Sequence, residues 1–157
     1  MKHLNEFIIE KLKINKDTKV KTYSEKPETW EELRNLLYNR LIHNPNADLN
    51  DIDVSNLKSL RRIFNDLNPM KIDISEWDVS NCEDMGFMFS GCEDFECDLS
   101  YWDVSNVKNM EYMFANCESF DSCCIENWDV KSLKNMKNIF YAVKYSVKKL
   151  PSWYKES

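Results

Sequence analysis

One short phrase recurs along this chain at a nearly constant interval. Four tetrads begin at Asp53, Asp78, Asp103 and Asp129, so the steps between them are 25, 25 and 26 residues. A second landmark, Ile or Met followed by Phe, comes ten residues after each of these aspartates. A repeat of this length is typical of proteins in which each unit buries its apolar side against its neighbours. The repeat therefore constrains the architecture more than any other feature of the sequence.

The first half of each unit keeps three apolar columns when the units are aligned on these landmarks. Within a unit the columns are three and then two residues apart, which predicts a short strand that bends into a turn. At such fixed positions we expect the tryptophans in the core rather than on a ligand platform. The columns are Leu49, Ile74, Leu99 and Ile125; Ile52, Trp77, Trp102 and Trp128; and Val54, Val79, Val104 and Val130.

The second half of each unit places apolar side chains three residues apart, as in Leu57, Leu60 and Ile63. This spacing predicts a short α or 3₁₀ segment that turns one face inward. The predicted fold is therefore an α/β repeat, a leucine-rich-repeat-like solenoid of about four 25-residue coils with short parallel strands and short helical segments.

Helices are expected to cap both ends, because an open end exposes apolar groups and unpaired strand edges. Thr29 and Glu32 have capping-box spacing before an amphipathic run that ends near Pro45, and a second helix is predicted from Met136 to Leu150. The predicted division is a leader and linker at 1–27, a capping helix at 28–46, the solenoid at 47–142 and a C-terminal cap at 143–157.

Six cysteines fall in or beside the repeats, and the register predicts that Cys92 approaches Cys117 and that Cys97 approaches Cys123. In the cytosol, buried thiols that act as small apolar fillers are the preferred interpretation. Stacked disulfides and a zinc site are the alternatives.

The recurring aspartates are expected to accept hydrogen bonds from nearby backbone amides and so to close turns. Stacked into ladders, they are also candidates for calcium binding. Calcium-binding rolls need glycines in their ligand turns, and this chain has two. No metal and no cofactor is therefore predicted.

Charge is unevenly distributed. Residues 47–130 hold five Lys or Arg against nineteen Asp or Glu, a net charge of −14, whereas residues 131–157 hold seven Lys against one Glu, a net charge of +6. Repeats this acidic repel phosphates, which argues against direct nucleic-acid binding and favours a basic protein partner. Mimicry of nucleic acid is one version of that idea.

Signatures of catalysis and of membrane insertion are missing from the sequence. There is no phosphate-binding glycine loop, no paired histidine at metal spacing and no nucleophile elbow, so no enzyme is predicted. The N-terminal apolar run of three residues is too short for a signal peptide or a membrane span, which predicts a cytoplasmic protein. The oligomeric state is not predicted.

Two units, Asp73-Ile-Ser-Glu-Trp-Asp-Val-Ser-Asn-Cys-Glu-Asp-Met-Gly-Phe-Met-Phe89 and Asp98-Leu-Ser-Tyr-Trp-Asp-Val-Ser-Asn-Val-Lys-Asn-Met-Glu-Tyr-Met-Phe114, closely resemble BspA-like leucine-rich repeats of mycoplasma-type lipoproteins and bacterial surface proteins. The resemblance covers roughly residues 47 to 142 and implies a right-handed solenoid used for protein binding, without catalytic residues. The opening residues, Leu4 to Thr18, resemble leader-like starts of gut Bacteroidales phage proteins, which implies a phage-encoded protein that works in the host cytoplasm or is carried in a virion.

The candidate partner-binding residues are the positions beside the buried columns that differ between units. Tyr101 is the expected anchor, since an exposed aromatic on a rigid face is a common hot spot. The predicted function is a protein-protein interaction module, with a structural or packaged virion component and a nucleic-acid-mimicking inhibitor as alternatives. The candidate residues are Asn50, Asp51, Ser75, Glu76, Ser100, Tyr101, Glu126 and Asn127.

Overall fold

The computed structural model describes residues 21–67, 69–143 and 150–155. Within them the chain forms one α-helix, α1 (Trp30–Leu41), one 3₁₀ helix (Ser122–Ile125) and five isolated parallel β-bridges. The predicted α/β solenoid with parallel strands and helical caps is therefore wrong, because these described residues contain no β-sheet and no strand longer than a single bridge. The predicted leader, up to residue 20, lies outside the described residues.

The repeats nevertheless lie side by side in chain order. We call them unit 1 (47–71), unit 2 (72–96), unit 3 (97–122) and unit 4 (123–143). Equivalent residues are joined by bridges from Ser59 to Asp84, from Asp84 to Asn109 and from Asn109 to Asn135. The fold is thus a stack of irregular units that are joined by isolated β-bridges and by rows of hydrogen bonds between their second halves, instead of by continuous strand ladders.

The second half of each unit is a run of three β-turns and not a helical segment. In unit 1 the amides of Ile63, Asn65 and Leu67 each donate to the carbonyl three residues earlier, and units 2 to 4 repeat the pattern. Apolar residues three positions apart fit successive β-turns as well as a 3₁₀ helix, so their spacing alone does not distinguish the two. We call this part of each unit its turn half.

Two positions in every turn half adopt a positive φ. They are the third residues of the first and last turns, as in a type II turn, which requires a positive φ there. The first position is filled by Arg62, Phe87, Tyr112 and Asn138 with φ between 52° and 57°, and the second by Asp66, Gly91, Asn116 and Ala142 with φ between 53° and 80°.

The core is a continuous set of aromatic columns between the two halves of the units. The rings of Phe64, Phe89, Phe114 and Phe140 stack in order with centroids 5.3, 5.6 and 5.9 Å apart. Burying aromatic rings in offset stacks adds a specific attraction to the hydrophobic gain. This column fixes the register between one unit and the next.

The two ends of the stack are built differently. Helix α1 begins after Thr29, whose hydroxyl accepts the Glu32 amide, and it buries Leu33, Leu37 and Leu41 against unit 1. The second helix predicted over Met136 to Leu150 is wrong for residues 136–143, which form turns, while residues 144–149 lie outside the described part.

Residues 150–155 begin a further unit at the C-terminal end. Trp153 stands 25 residues after Trp128, and its indole stacks on that ring at 6.5 Å. It also donates to the Ile125 carbonyl, as each earlier tryptophan of this column does to the unit before it. The sequence signal for this partial unit was the Trp spacing itself.

Candidate interaction surface

The eight residues predicted to contact a partner are the central residues of four stacked β-turns. These turns close through hydrogen bonds from the amides of Ile52, Trp77, Trp102 and Trp128 to the carbonyls three residues earlier. The side chains at the two central positions of a turn lie outside the buried columns. The structure therefore brings all eight predicted residues onto one side of the stack, which we call the turn face.

Buried tryptophans hold these turns in register. The indole nitrogen of Trp77 donates to the Leu49 carbonyl at 2.9 Å, and Trp102 donates to Ile74 at 3.0 Å. Because a buried carbonyl without a partner is costly, each bond fixes one turn over the turn before it. The turn face is therefore a rigid surface rather than a set of independent loops.

Several of the predicted residues are engaged within the chain. The side-chain oxygen of Asn50 accepts the Glu76 amide at 2.9 Å, the Ser75 hydroxyl donates to Asp73 at 2.6 Å, and a Glu126 carboxylate oxygen accepts the Ser152 amide at 3.1 Å. These three side chains connect units or close turns. Their first role is structural.

Asp51 is also held in place, by Arg40 from α1. The guanidinium donates to both carboxylate oxygens at 2.6 and 2.9 Å, and the Ser24 hydroxyl donates as well. The hydrogen bonds from Arg40 lower the pKa of Asp51 to about 2. This carboxylate stays ionised, yet it is already paired with a cation.

The middle of the turn face is the part most open to solvent. Glu76, Ser100, Tyr101 and Asn127 are exposed, and Tyr101 is 85% exposed, more than any other large hydrophobic residue in the described part of the chain. Lys21 reaches Glu76, with its ammonium 3.1 Å from the carboxylate. The exposed aromatic ring of Tyr101 is thus the most prominent feature of this face.

Two grooves lie beside the middle of the turn face, and Tyr101 lines the smaller of them. One, of about 360 Å³, is lined by Ser75, Glu76, Trp77, Asp98 and Tyr101. The other, of about 650 Å³, is lined by Lys71, Glu96, Cys97, Asp98, Ser100, Ser119, Asp121 and Cys124. Asp98 lies in both grooves and is not among the candidate residues, although Asp48, Asp73 and Asp98 recur at steps of 25 residues in the sequence.

The aspartates of the repeats close turns. One carboxylate oxygen of Asp73 accepts the Ser75 amide at 3.0 Å, and Asp78 and Asp103 accept Ser80 and Ser105 in the same way. Hydrogen bonds from Ser75 lower the pKa of Asp73. In the part of the chain that the structure describes, no three Asp, Glu, His or Cys side chains converge as metal ligands would.

The predicted approach of Cys97 to Cys123 is wrong. The Sγ of Cys124 lies 3.9 Å from the Cys97 carbonyl, while Cys123 is exposed. The reason is the 26-residue step, because the additional residue is taken up in the 3₁₀ helix that rotates Cys123 outward. No disulfide joins the six cysteines, all of which lie in the described residues.

Burial disfavours the thiolate form of five of the six cysteines. It raises the pKa of Cys92 to about 12 and that of Cys82, Cys97 and Cys124 to about 11. Cys117 donates its S–H to the Phe89 carbonyl at 3.0 Å, and its pKa is raised further by burial. Since the thiolate is the nucleophilic form, these cysteines are suited to packing and not to covalent chemistry.

Comparison with known proteins identifies a family for this chain. Residues 31–153 match the family described as "Mycoplasma protein of unknown function, DUF285". No curated protein and no solved structure matches this chain. Within the described residues, α1 is the longest helix, with twelve residues, and none there could cross a membrane.

Proposed function

We propose that this chain, which belongs to the DUF285 family, is a non-catalytic protein-binding module that captures a basic partner on its turn face. The observation that carries this proposal is Tyr101, a large aromatic side chain that is 85% exposed on a rigid turn. Rigid aromatic anchors bordered by grooves are the usual hot spots of protein interfaces. The turn face supplies such an anchor at the border of a groove.

Charge supports a basic partner. Exposed carboxylates of Glu76, Glu96, Asp98 and Asp121 lie around the two grooves, and Lys71, which lines the larger groove, pairs with Glu96 at 3.2 Å. Carboxylates of one sign around an apolar anchor speed association with a cationic surface and select against acidic partners. A basic segment of the partner would lie along the grooves while an apolar group packs on Tyr101.

The resemblance of the units to BspA-like repeats supports protein binding as the activity. A phage origin and action in the host cytoplasm remain part of the proposal and rest on the resemblance of the opening residues to Bacteroidales phage leaders. A host protein is then the expected partner.

The test is capture from a host lysate by the immobilised protein. We expect one basic protein in stoichiometric amount, released by added salt because the contact is electrostatic at its border. The double variant Tyr101→Ala/Glu76→Lys should lose this capture, with a thermal midpoint close to that of the parent, because both side chains are exposed.

The matched control is Tyr38→Ala/Glu93→Lys, which makes the same chemical changes at exposed positions that are not among the eight candidate residues. It should capture as the parent does. Equal capture by the Tyr101→Ala/Glu76→Lys variant would show that the turn face is not the binding surface. Self-association or co-purification with virions would favour a structural component, and competition by duplex DNA for the captured protein would favour mimicry of nucleic acid.

A further inference from the structure

One cation on the turn face comes from outside the repeats, from residues 21–26, which we call the flanking segment. The ammonium of Lys21 lies 2.7 Å from the backbone carbonyl oxygen of Glu76 and 3.1 Å from its carboxylate. The two residues are 55 positions apart in the sequence, so this contact joins the flanking segment to unit 2. The turn face of this chain therefore already binds an ammonium group at Glu76.

The flanking segment is attached to unit 1 by the backbone of its middle residues. The Ser24 amide donates to the Asp51 carbonyl at 2.9 Å, and the Glu25 carbonyl accepts the Asp53 amide at 2.9 Å. In contrast, the backbone of residues 21–23 makes no hydrogen bond to another residue that the structure describes. Between this part of the segment and unit 2, the polar contact is the one that the Lys21 ammonium makes.

Arg40 makes a different kind of contact on the same face. Its guanidinium donates to both carboxylate oxygens of Asp51, and its side chain is 27% exposed. Lys21 reaches one carboxylate oxygen of Glu76, whose side chain is 65% exposed. Exposed ion pairs contribute little and are screened by salt, whereas the paired hydrogen bonds of an arginine are stronger. The Lys21 contact can therefore be displaced, while the Arg40 contact is a fixed part of the fold.

Glu76 lies where the proposed partner would bind. It lines the smaller groove together with Asp98 and Tyr101, and with Lys21 it also lines a third groove of about 340 Å³. A cation that enters the smaller groove would thus share Glu76 with Lys21. Because two cations at one carboxylate repel each other, binding of the partner requires that Lys21 leave.

Lys21 has the chemistry that the basic partner would bring, namely a cation on an exposed segment. It belongs to the same molecule as Glu76, so its effective concentration at that carboxylate is high although the ion pair is weak. A tethered ligand of this kind lowers the affinity of a free competitor without blocking the site. The contact therefore acts on partner binding more than on stability.

We propose that Lys21 is an internal competitor at the turn face and that a basic partner displaces it from Glu76. This inference rests on the proposed function, because it concerns the same face and the same class of partner. In the free chain, Lys21 occupies the cation position beside Tyr101. A partner that brings both a cation and an apolar group for Tyr101 releases Lys21, so the contact selects against weakly basic proteins.

The test is the affinity of the full chain for fluorescently labelled octaarginine. Anisotropy is measured at about 0.15 M salt, where charges more than about 8 Å apart are largely screened. Lys21→Met removes the ammonium and keeps most of the side-chain stem. It should tighten binding by about two- to fivefold, the range that one exposed ion pair accounts for. Lys21→Arg keeps a cation at Glu76 and should bind as the parent does.

The matched control is Lys26→Met, which removes a lysine of the same segment that pairs with Asp53 instead of with a candidate residue. It should change the affinity by less than about 1.5-fold. Equal tightening by Lys21→Met and Lys26→Met would overturn the proposal, because the effect would then be one of net charge.

The variants also separate this proposal from the proposed function. If Lys21→Met does not tighten binding while Tyr101→Ala/Glu76→Lys loses it, the internal competitor is excluded and the turn face stands. If Tyr101→Ala/Glu76→Lys binds octaarginine as tightly as the parent, cations do not bind at the turn face, and both proposals fail.

Discussion

At the scale of single residues, the unusual feature is the left-handed backbone of bulky side chains. Phe87 and Tyr112 have φ values of 56° and 52°, a conformation that costs roughly 1 to 2 kcal/mol for a residue with a Cβ. Contacts that their side chains make outside the core offset this cost. The two rings stack at 4.9 Å, and the Arg62 guanidinium lies 4.6 Å from the Phe87 ring centre.

The second left-handed position gives a clean test of this backbone cost. Gly91 has a φ of 80°, and a Cβ added there meets no atom within 4 Å. Gly91→Ala should therefore lower the free energy of unfolding by about 1 kcal/mol. This value is the cost of the backbone strain, reduced by the smaller conformational entropy that alanine has in the unfolded chain. Urea denaturation measures the change.

Ala142 provides the reverse experiment, because it occupies the same repeat position in unit 4 with a φ of 53°. Ala142→Gly should raise stability, by less than about 1 kcal/mol, since glycine also gains entropy when unfolded. Changes of the same sign in the two variants would contradict the assignment of a left-handed residue at this position.

At the scale of elements, α1 covers the first unit and donates hydrogen bonds to its backbone carbonyls. Arg34→Met keeps most of the packing of the side-chain stem but removes both hydrogen bonds to the Ile63 and Asn65 carbonyls. Leaving these carbonyls unpaired should lower the free energy of unfolding by about 1 to 3 kcal/mol, measured by denaturation.

The control for that variant is Asn35→Ala, an exposed position on the same helix. It should change stability by no more than about 0.5 kcal/mol. An Arg34→Met protein as stable as the control would show that α1 stabilises unit 1 by apolar contact alone.

The elements also show what the sequence could reveal. Leu49, Ile74, Leu99 and Ile125 are fully buried, as the aligned columns indicated. The conformation of the turn halves could not be predicted from the sequence, because apolar residues three apart fit both helical and turn geometry. In addition, Phe87 and Tyr112 do not indicate a positive φ as a glycine would. The predicted strands were wrong since inter-unit bonding on that side is confined to single bridges.

The turn face, in contrast, could be located from the sequence. The register of the repeat alone determines that Ser75, Glu76 and Tyr101 share one side. It could not reveal which side chains are already engaged, because Arg40 and Lys21, which bind Asp51 and Glu76, come from outside the repeats. Contacts between the repeats and flanking segments carry no periodic signal.

At the scale of the whole molecule, the stack has a direction. Carbonyls point out of the N-terminal end and are covered by α1, whereas amides point out of the C-terminal end. The turn face runs along one side, with its exposed carboxylates and Tyr101 near the middle.

Residue-resolved hydrogen exchange on the free protein tests this directional stack most directly. The amides of Met110, Tyr112, Phe114 and Asn116 should be strongly protected, because each is bonded to unit 4. Their equivalents in unit 4, Met136, Asn138, Phe140 and Ala142, should exchange far faster. Equal protection in the two rows, or weak protection in both, would contradict the account.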